Sequence, residues 1–264
     1  MDYQPLSRSI VGRVAIVTGA ASGMGRATAH LFAREGAKVV VSDLTQEGCE
    51  AVCEEIAKAR MEIPSIGEAI PVACDVGDPD ALKALAQAAV ERFGGVDILV
   101  NNAGFARHAM PDQDEYDEVW QRSLAVMLSA HQRLIRACLP HLRRSDAPRI
   151  VNIASTEGLG ATPGNASYVA AKHGVIGLTR AMAVDLGPEG ITCNAICPGP
   201  IRTAITEGIS EEHKTIFAKR RTALKRYGAP EEVANMTLSL VLPAASFITG
   251  AAIPVDGGLT IRNA

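Results

Sequence analysis

The chain has 264 residues, 47% of them hydrophobic and 21% charged, with a formal net charge of -3. That is the balance of a globular protein large enough for a sizeable core. It offers none of the basic excess that nucleic-acid binding draws on, and no apolar run approaches the ~18 residues needed to span a bilayer.

The polar start, MDYQPLSRSIVGR, lacks the apolar centre of a signal peptide, so a cytoplasmic protein is expected. Apolar runs follow at 13–18, 38–43, 69–76, 96–103, 149–155, 191–199 and 251–258. They are rich in Val and Ile and do not alternate with polar residues, the pattern of strands buried on both faces of a parallel sheet. Between them lie segments with apolar residues at helical spacing, several ending at Gly. This alternation predicts an α/β, Rossmann-like doubly wound parallel sheet of about seven strands with helices on both faces. No linker or repeat interrupts it, so residues 1–264 are expected to form a single domain. The segment at about 200–228 breaks the rhythm as a charged helical insertion, a candidate cover for a ligand. The six cysteines, Cys49, Cys53, Cys74, Cys138, Cys193 and Cys197, form no C-x-x-C pair and have no His at ligand spacing. Reduced core thiols and no metal are expected.

The turn TGAASGMG, Thr18 to Gly25, leaves the first strand and opens the first helix. Gly19 permits the tight turn, and Gly23 and Gly25 let a pyrophosphate and the neighbouring backbone approach. Ser22 and Met24 share the turn, whose helix N-terminus turns free N–H groups toward phosphates. Asp43 ends the second strand, where a carboxylate accepts the ribose hydroxyls of an adenosine and repels a 2′-phosphate. Neither Ser22 nor Leu44 supplies a cation for such a phosphate, so NAD is the expected cofactor. Further on, SYVAAKHG places Tyr168 and Lys172 four residues apart, on one helix face. The pair is either an amphipathic Tyr beside a snorkelling Lys or a phenol held beside an ammonium.

Taken together these motifs resemble the short-chain dehydrogenase/reductase family over essentially the whole chain. The glycine turn has the TGxxxGxG spacing, Asn101 to Gly104 reads NNAG, and Ser155, Tyr168 and Lys172 reproduce S-x12-Y-x-x-x-K. PGPIRT spans Pro198 to Thr203, and VDGG lies near the C-terminus. The resemblance implies adenine contacts from Asp75 and Val76, and dinucleotide contacts from Asn102, Ala103, Gly104, Pro198, Gly199, Ile201 and Thr203. It implies that Tyr168 exchanges a proton with a secondary alcohol or ketone as hydride moves to or from the nicotinamide. Ser155 would bond the substrate oxygen, and Lys172 the nicotinamide ribose. A free phenol titrates near ~10, and the Lys172 ammonium is expected to help bring it down. The family also implies a homotetramer.

One departure stands out. Where the family carries a relay Asn in a VNL-like context, this chain has Met127, and a thioether is a poor acceptor. The family's relay water is held largely by that residue's main-chain carbonyl, which survives the replacement, and Ser123 or Ser129 could assist. Substrate contacts are expected from Glu157, Leu159 and Asn165 in the loop joining Ser155 to Tyr168, and from Phe105, Arg107 and His108 at even odds with exposure. The basic run from Lys214 to Arg226 reads as a solvated helix face. The resulting expectation is an NAD-dependent dehydrogenase for a small-molecule alcohol or ketone. The alternatives are an enoyl-type reductase and an NAD-binding sensor with weak turnover, the latter resting on Met127 alone.

Overall fold

In the computed structural model, which describes residues 4–263, the apolar runs become strands. They are β1 Val14–Thr18, β2 Lys38–Asp43, β3 Ala69–Ala73, β4 Ile98–Asn101, β5 Arg149–Ile153, β6 Thr192–Pro198 and β7 Ala252–Val255. All pair in parallel, in the order β3-β2-β1-β4-β5-β6-β7. Every residue of β1, β4, β5 and β6 is buried, as strands covered on both faces must be. Pro71 and Pro254 fall on β3 and β7, the two edges, where a missing backbone donor breaks no inner ladder. All the strands but β2 are shorter than the apolar runs that predicted them, and at two of them the difference bears on the site. β3 stops at Ala73 and β4 at Asn101, so Asp75, Val76 and Asn102 to Gly104 leave the sheet at its C-terminal edge.

The helices are α1 Gly23–Arg34, α2 Gln46–Glu62, α3 Pro79–Phe93, α4 Tyr116–Leu124, α5 Ala130–Leu142, α6 Ala166–Leu186, α7 Ala204–Glu207, α8 Glu211–Arg221 and α9 Pro230–Val241. Their ends follow local chemistry. Thr45 caps α2 by accepting from the Gly48 N–H, Asp78 caps α3 ahead of Pro79, and α3 stops at Gly94 in the left-handed region (φ 90°). Phe32, Val52 and Leu240 pack with β1 and β2 on one face of the sheet. On the other, Leu85, Leu134 and Leu142 pack with Ile16, Leu99 and Ile150. The order of strands reverses direction between β1 and β4, and the ends of these two strands frame the cleft described below.

The helical connection between β4 and β5 is divided. Residues Ala125–Ser129 between α4 and α5 adopt π-helical pairing, and the Ala130 N–H reaches the Ala125 carbonyl. Such a widened turn displaces main-chain carbonyls from the regular ladder and recurs at functional sites. Leu134 is completely buried against the sheet on this same side. Leu134→Ala is expected to lower the unfolding free energy by roughly 2–5 kcal/mol, the usual cost of truncating a packed Leu. Urea denaturation with an unchanged m-value would bear this out, and a loss below about 1 kcal/mol would contradict the packing described.

Candidate active site

The glycine turn and the NNAG turn are bolted together. Asn102 donates from Nδ2 to the carbonyls of Thr18 (2.8 Å) and Gly19 (3.1 Å), while the Asn102 and Ala103 N–H groups donate to Thr18 Oγ1 at 3.0 and 3.1 Å. Gly19 adopts φ 63°, and a Cβ on Gly25 would lie 2.1 Å from the Gly19 carbonyl oxygen, so only glycine fits there. Gly25 therefore holds the turn closed and does not itself line the cleft. The Ser22 side chain makes no cap to α1. The cleft runs along Gly19, Ser22, Gly23, Met24, Asn102, Ala103 and Gly104. It continues past Asp43, Asp75 and Val76 at one end and Ile153, Tyr168, Lys172, Thr203 and Ile205 at the other.

Both acidic residues of the cleft are oriented by donors. Asp43 accepts from the Ala21 N–H (2.9 Å) and the Leu44 N–H (2.7 Å). Asp75 accepts from the Gly77 N–H and, through both carboxylate oxygens, from the single Arg122 Nη2, at 2.9 and 3.1 Å. These bonds hold the Asp75 carboxyl below its ordinary value against the opposing effect of burial. Arg122, on α4, also lines the cleft. The sequence reading missed it, because nothing local links positions 47 residues apart.

At the other end, Ser155 follows β5 and its Oγ accepts from the Glu157 N–H at 3.1 Å, capping the single 3-10 turn Thr156–Gly158. That bond occupies an acceptor site and leaves the hydroxyl proton free to donate. Tyr168 and Lys172 lie one turn apart on α6, with Nζ 5.5 Å from the Tyr168 ring centroid. The Lys172 ammonium is buried and donates to the Ile153 carbonyl at 2.8 Å. Burial pushes it down to about 8. The expected lowering of the phenol is not found in the chain by itself. Burial raises Tyr168, its hydrogen bond with Ser155 works downward, and the Glu157 charge works upward. The ammonium is directed at a carbonyl rather than at the phenol oxygen.

Other expected contacts separate. Phe105 lines the cleft, whereas Arg107 pairs with Glu118 at 2.8 Å. Pro198 ends β6, Gly199 packs on Asp256 (a Cβ would meet its Cα at 2.7 Å), and Ile201 is buried in the core. None of these three is among the residues lining the cleft. Leu159 is exposed beside it, and Glu157 is half-buried. In the basic run, Lys214 is buried on Glu211, Arg202 forks onto the same carboxylate, and Arg226 pairs with Glu232. Among the described residues no group of three or more His, Cys, Asp or Glu is placed to hold a metal ion, and no helix is long and apolar enough to cross a membrane.

Met127 sits in the π-helical turn, 1% exposed, with its Sδ packed beneath Gly104. Ser123 is engaged with Ser167, Oγ to Oγ at 3.2 Å, and is not free to stand in for an Asn. One turn beyond Met127 lies His131, 2% exposed, both ring nitrogens without a partner among the described residues.

Comparison with known proteins follows the same lines. The profile of a family described as Enoyl-(Acyl carrier protein) reductase matches residues 19–260. The chain is 37% identical to 3-oxoacyl-acyl-carrier-protein reductase FabG of Thermotoga maritima, over 95% of this chain and 98% of that protein. It is 39% identical to meso-2,3-butanediol dehydrogenase of Serratia marcescens (95% and 96% covered). It is 38% identical to trans-4-hydroxycyclohexanecarboxylate dehydrogenase of Sinomonas cyclohexanicum (98% and 96%). Among solved structures, a short-chain type dehydrogenase/reductase from Mycobacterium marinum superposes with a TM-score of 0.89 at 30% identity, covering 97% of this chain and 98% of that one.

Burial, assisted by the Lys172 charge, pushes His131 down to about 3 from the ordinary 6.5. Between these values the unfolded chain binds the proton and the folded chain does not, so stability falls as pH drops through that window, by up to ~1.4 kcal/mol per pH unit from this one group. His131→Leu is expected to flatten that part of the stability–pH curve, read by urea denaturation between about pH 7 and 5. An unchanged slope would show the imidazole to be charged or hydrated.

Proposed function

The chain belongs to the short-chain dehydrogenase/reductase family, and on that footing we propose that it is an NAD-dependent dehydrogenase interconverting a secondary alcohol and a ketone. The observation that carries this reading is the meeting of Ser155, Tyr168 and Lys172 at one end of a cleft whose other end holds Asp43.

The residues fit a dinucleotide. A Cβ on Gly23 would meet the Thr203 side chain at 3.1 Å, so the bare backbone of the turn opens a cradle between α1 and the segment after β6. Gly19, Ser22, Gly23 and Met24 would hold the pyrophosphate, Asp43 the adenosine ribose, Asp75 and Val76 the adenine, and Asn102 to Gly104, Lys172 and Thr203 the nicotinamide half. When bound, the oxidised nicotinamide supplies the hydride acceptor and a positive ring that favours tyrosinate. Tyr168 then takes the alcohol proton, or returns it in the reverse direction. Ser155 donates to the substrate oxygen and steadies negative charge developing there. Lys172 is anchored on Ile153 and would bond the ribose hydroxyls of a bound dinucleotide, which would place its proton on the path from the phenol. Past it the relay uses main-chain carbonyls of the widened turn at Met127, whose thioether contributes none.

The segment at about 200–228 would cover the substrate, with Ile205 at the cleft and Ile209 beside it giving an apolar lining. The exposed apolar residues Val184, Phe247, Ile248 and Ile261 support assembly, and a homotetramer is our reading of them. Three relatives are named for oxidising or reducing a carbinol or carbonyl. That, with the intact Ser-Tyr-Lys set, favours alcohol chemistry over the enoyl reduction in the family description.

Tyr168→Phe is expected to reduce kcat by ~10²–10⁴-fold, the usual worth of a positioned acid–base, with dinucleotide affinity by calorimetry nearly unchanged. Undiminished turnover would refute Tyr168 as the base. A wild-type chain that binds NAD yet oxidises no alcohol of a broad panel would favour the sensor. Wild-type kcat/KM is expected to favour NAD over NADP by roughly tenfold or more, and Asp43→Ser to narrow the ratio by a similar factor, each decade being about 1.4 kcal/mol. A wild-type preference for NADP would overturn the cofactor assignment.

A further inference from the structure

Two acceptors beside the reacting groups have no part in the chemistry just described. The first is Glu157, on the 3-10 turn whose start is fixed by its own N–H on Ser155 Oγ. That turn is pressed against α6: a Cβ on Gly158 would lie 2.8 Å from the Lys172 carbonyl oxygen. Glu157 Oε2 accepts from the Thr162 N–H at 2.9 Å and ties down the loop, while Oε1 accepts no hydrogen bond among the described residues. The second is Asn165, three residues before Tyr168 at the start of α6. It is 8% exposed, and its amide oxygen has no partner among the described residues. A buried acceptor without a donor is unfavourable until something donates to it.

We propose that Glu157 Oε1 and the Asn165 amide oxygen form an acceptor pair that receives a second hydroxyl of the substrate, so that the preferred substrates are neutral diols with that hydroxyl close to the reacting carbinol. The inference rests on the dehydrogenase reading and adds the substrate class. The carbinol loses a hydride to the oxidised dinucleotide and a proton to Tyr168, leaving a hydroxyketone whose remaining hydroxyl stays on the pair. An anionic substituent in that position meets the Glu157 charge and is disfavoured. The same charge faces Tyr168 and opposes its ionisation. Behind Tyr168 on α6 stands Lys172, and the titratable groups acting on it are His131 on α5, which is held neutral, and Cys197 on β6, whose thiol burial pushes up to about 11.

The test compares matched substrates with NAD: meso-2,3-butanediol against 2-butanol, cyclohexane-1,2-diol against cyclohexanol, and 4-hydroxycyclohexanecarboxylate as the anionic probe. Glu157→Gln keeps one acceptor oxygen for Thr162 and replaces the other oxygen, with the charge, by an NH2 donor. The wild type is expected to favour diols by tenfold or more in kcat/KM. In Glu157→Gln that preference falls severalfold, mainly through KM, the anionic probe improves, and the acidic limb of the pH profile moves to lower pH because Tyr168 is relieved of a negative neighbour. Glu157→Asp restores the limb. Asn165→Leu, checked for folding by its melting temperature, loses diol preference without moving the limb; should it not fold, Glu157→Gln decides alone. A wild type indifferent to the second hydroxyl, or a Glu157→Gln enzyme with unchanged ratios and pH profile, overturns the acceptor pair and leaves the dehydrogenase standing. No oxidation of any probe with NAD or NADP overturns both.

Discussion

A lysine ammonium removed from water is the constraint around which this molecule is arranged. Lys172 is buried where α6 meets the end of β5, and its one hydrogen bond among the described residues is to the Ile153 carbonyl. A charge in that position is unfavourable unless its donors are satisfied, and burial alone loosens its proton to about 8. It persists because β5 ends in extended backbone that offers Ile153 toward the cleft, and because α6 begins late enough to set Tyr168 and Lys172 over it. The neighbouring His131 cannot share the strain, since a second charge beside the ammonium would raise its cost, and it stays neutral.

The rest of the site follows from the switch in strand order. β1 and β4 diverge at their C-terminal ends, and the two turns that leave them are sewn together through Thr18 and Asn102. That junction fixes how far the glycine turn stands from Ser155 and Tyr168, so both lie along one edge of the sheet. The Ser155–Tyr168 loop and the segment after β6 mix buried anchors such as Asn165 and Ile201 with exposed positions such as Leu159 and Ile205.

Much of this was legible in the sequence. The Val- and Ile-rich runs marked the strands because burial on both faces leaves no alternation to misread, and the glycine turn, Asp43 and the Tyr–Lys spacing lie within single local segments. What stayed hidden depended on distant partners. Arg122 reaches Asp75 from another helix, and Pro198, Gly199 and Ile201 turned inward through packing on Asp256 and the core. The π-helical turn at Met127 is a change of hydrogen-bond partner with no residue signature. The phenol illustrates the same limit. Helical spacing set Lys172 near Tyr168, but only the three-dimensional arrangement shows that the ammonium serves Ile153 and that burial outweighs the Ser155 hydrogen bond at the phenol.

The most direct measurement of the central claim is the titration of Lys172 in the free protein, followed by NMR of a 13C-labelled lysine side chain and assigned with a Lys172→Met control. The account predicts a midpoint near about 8, well below the ordinary 10.5, rising when a dinucleotide supplies ribose acceptors. A midpoint at the ordinary value would mean that the ammonium is hydrated and that the site is not built around a desolvated charge.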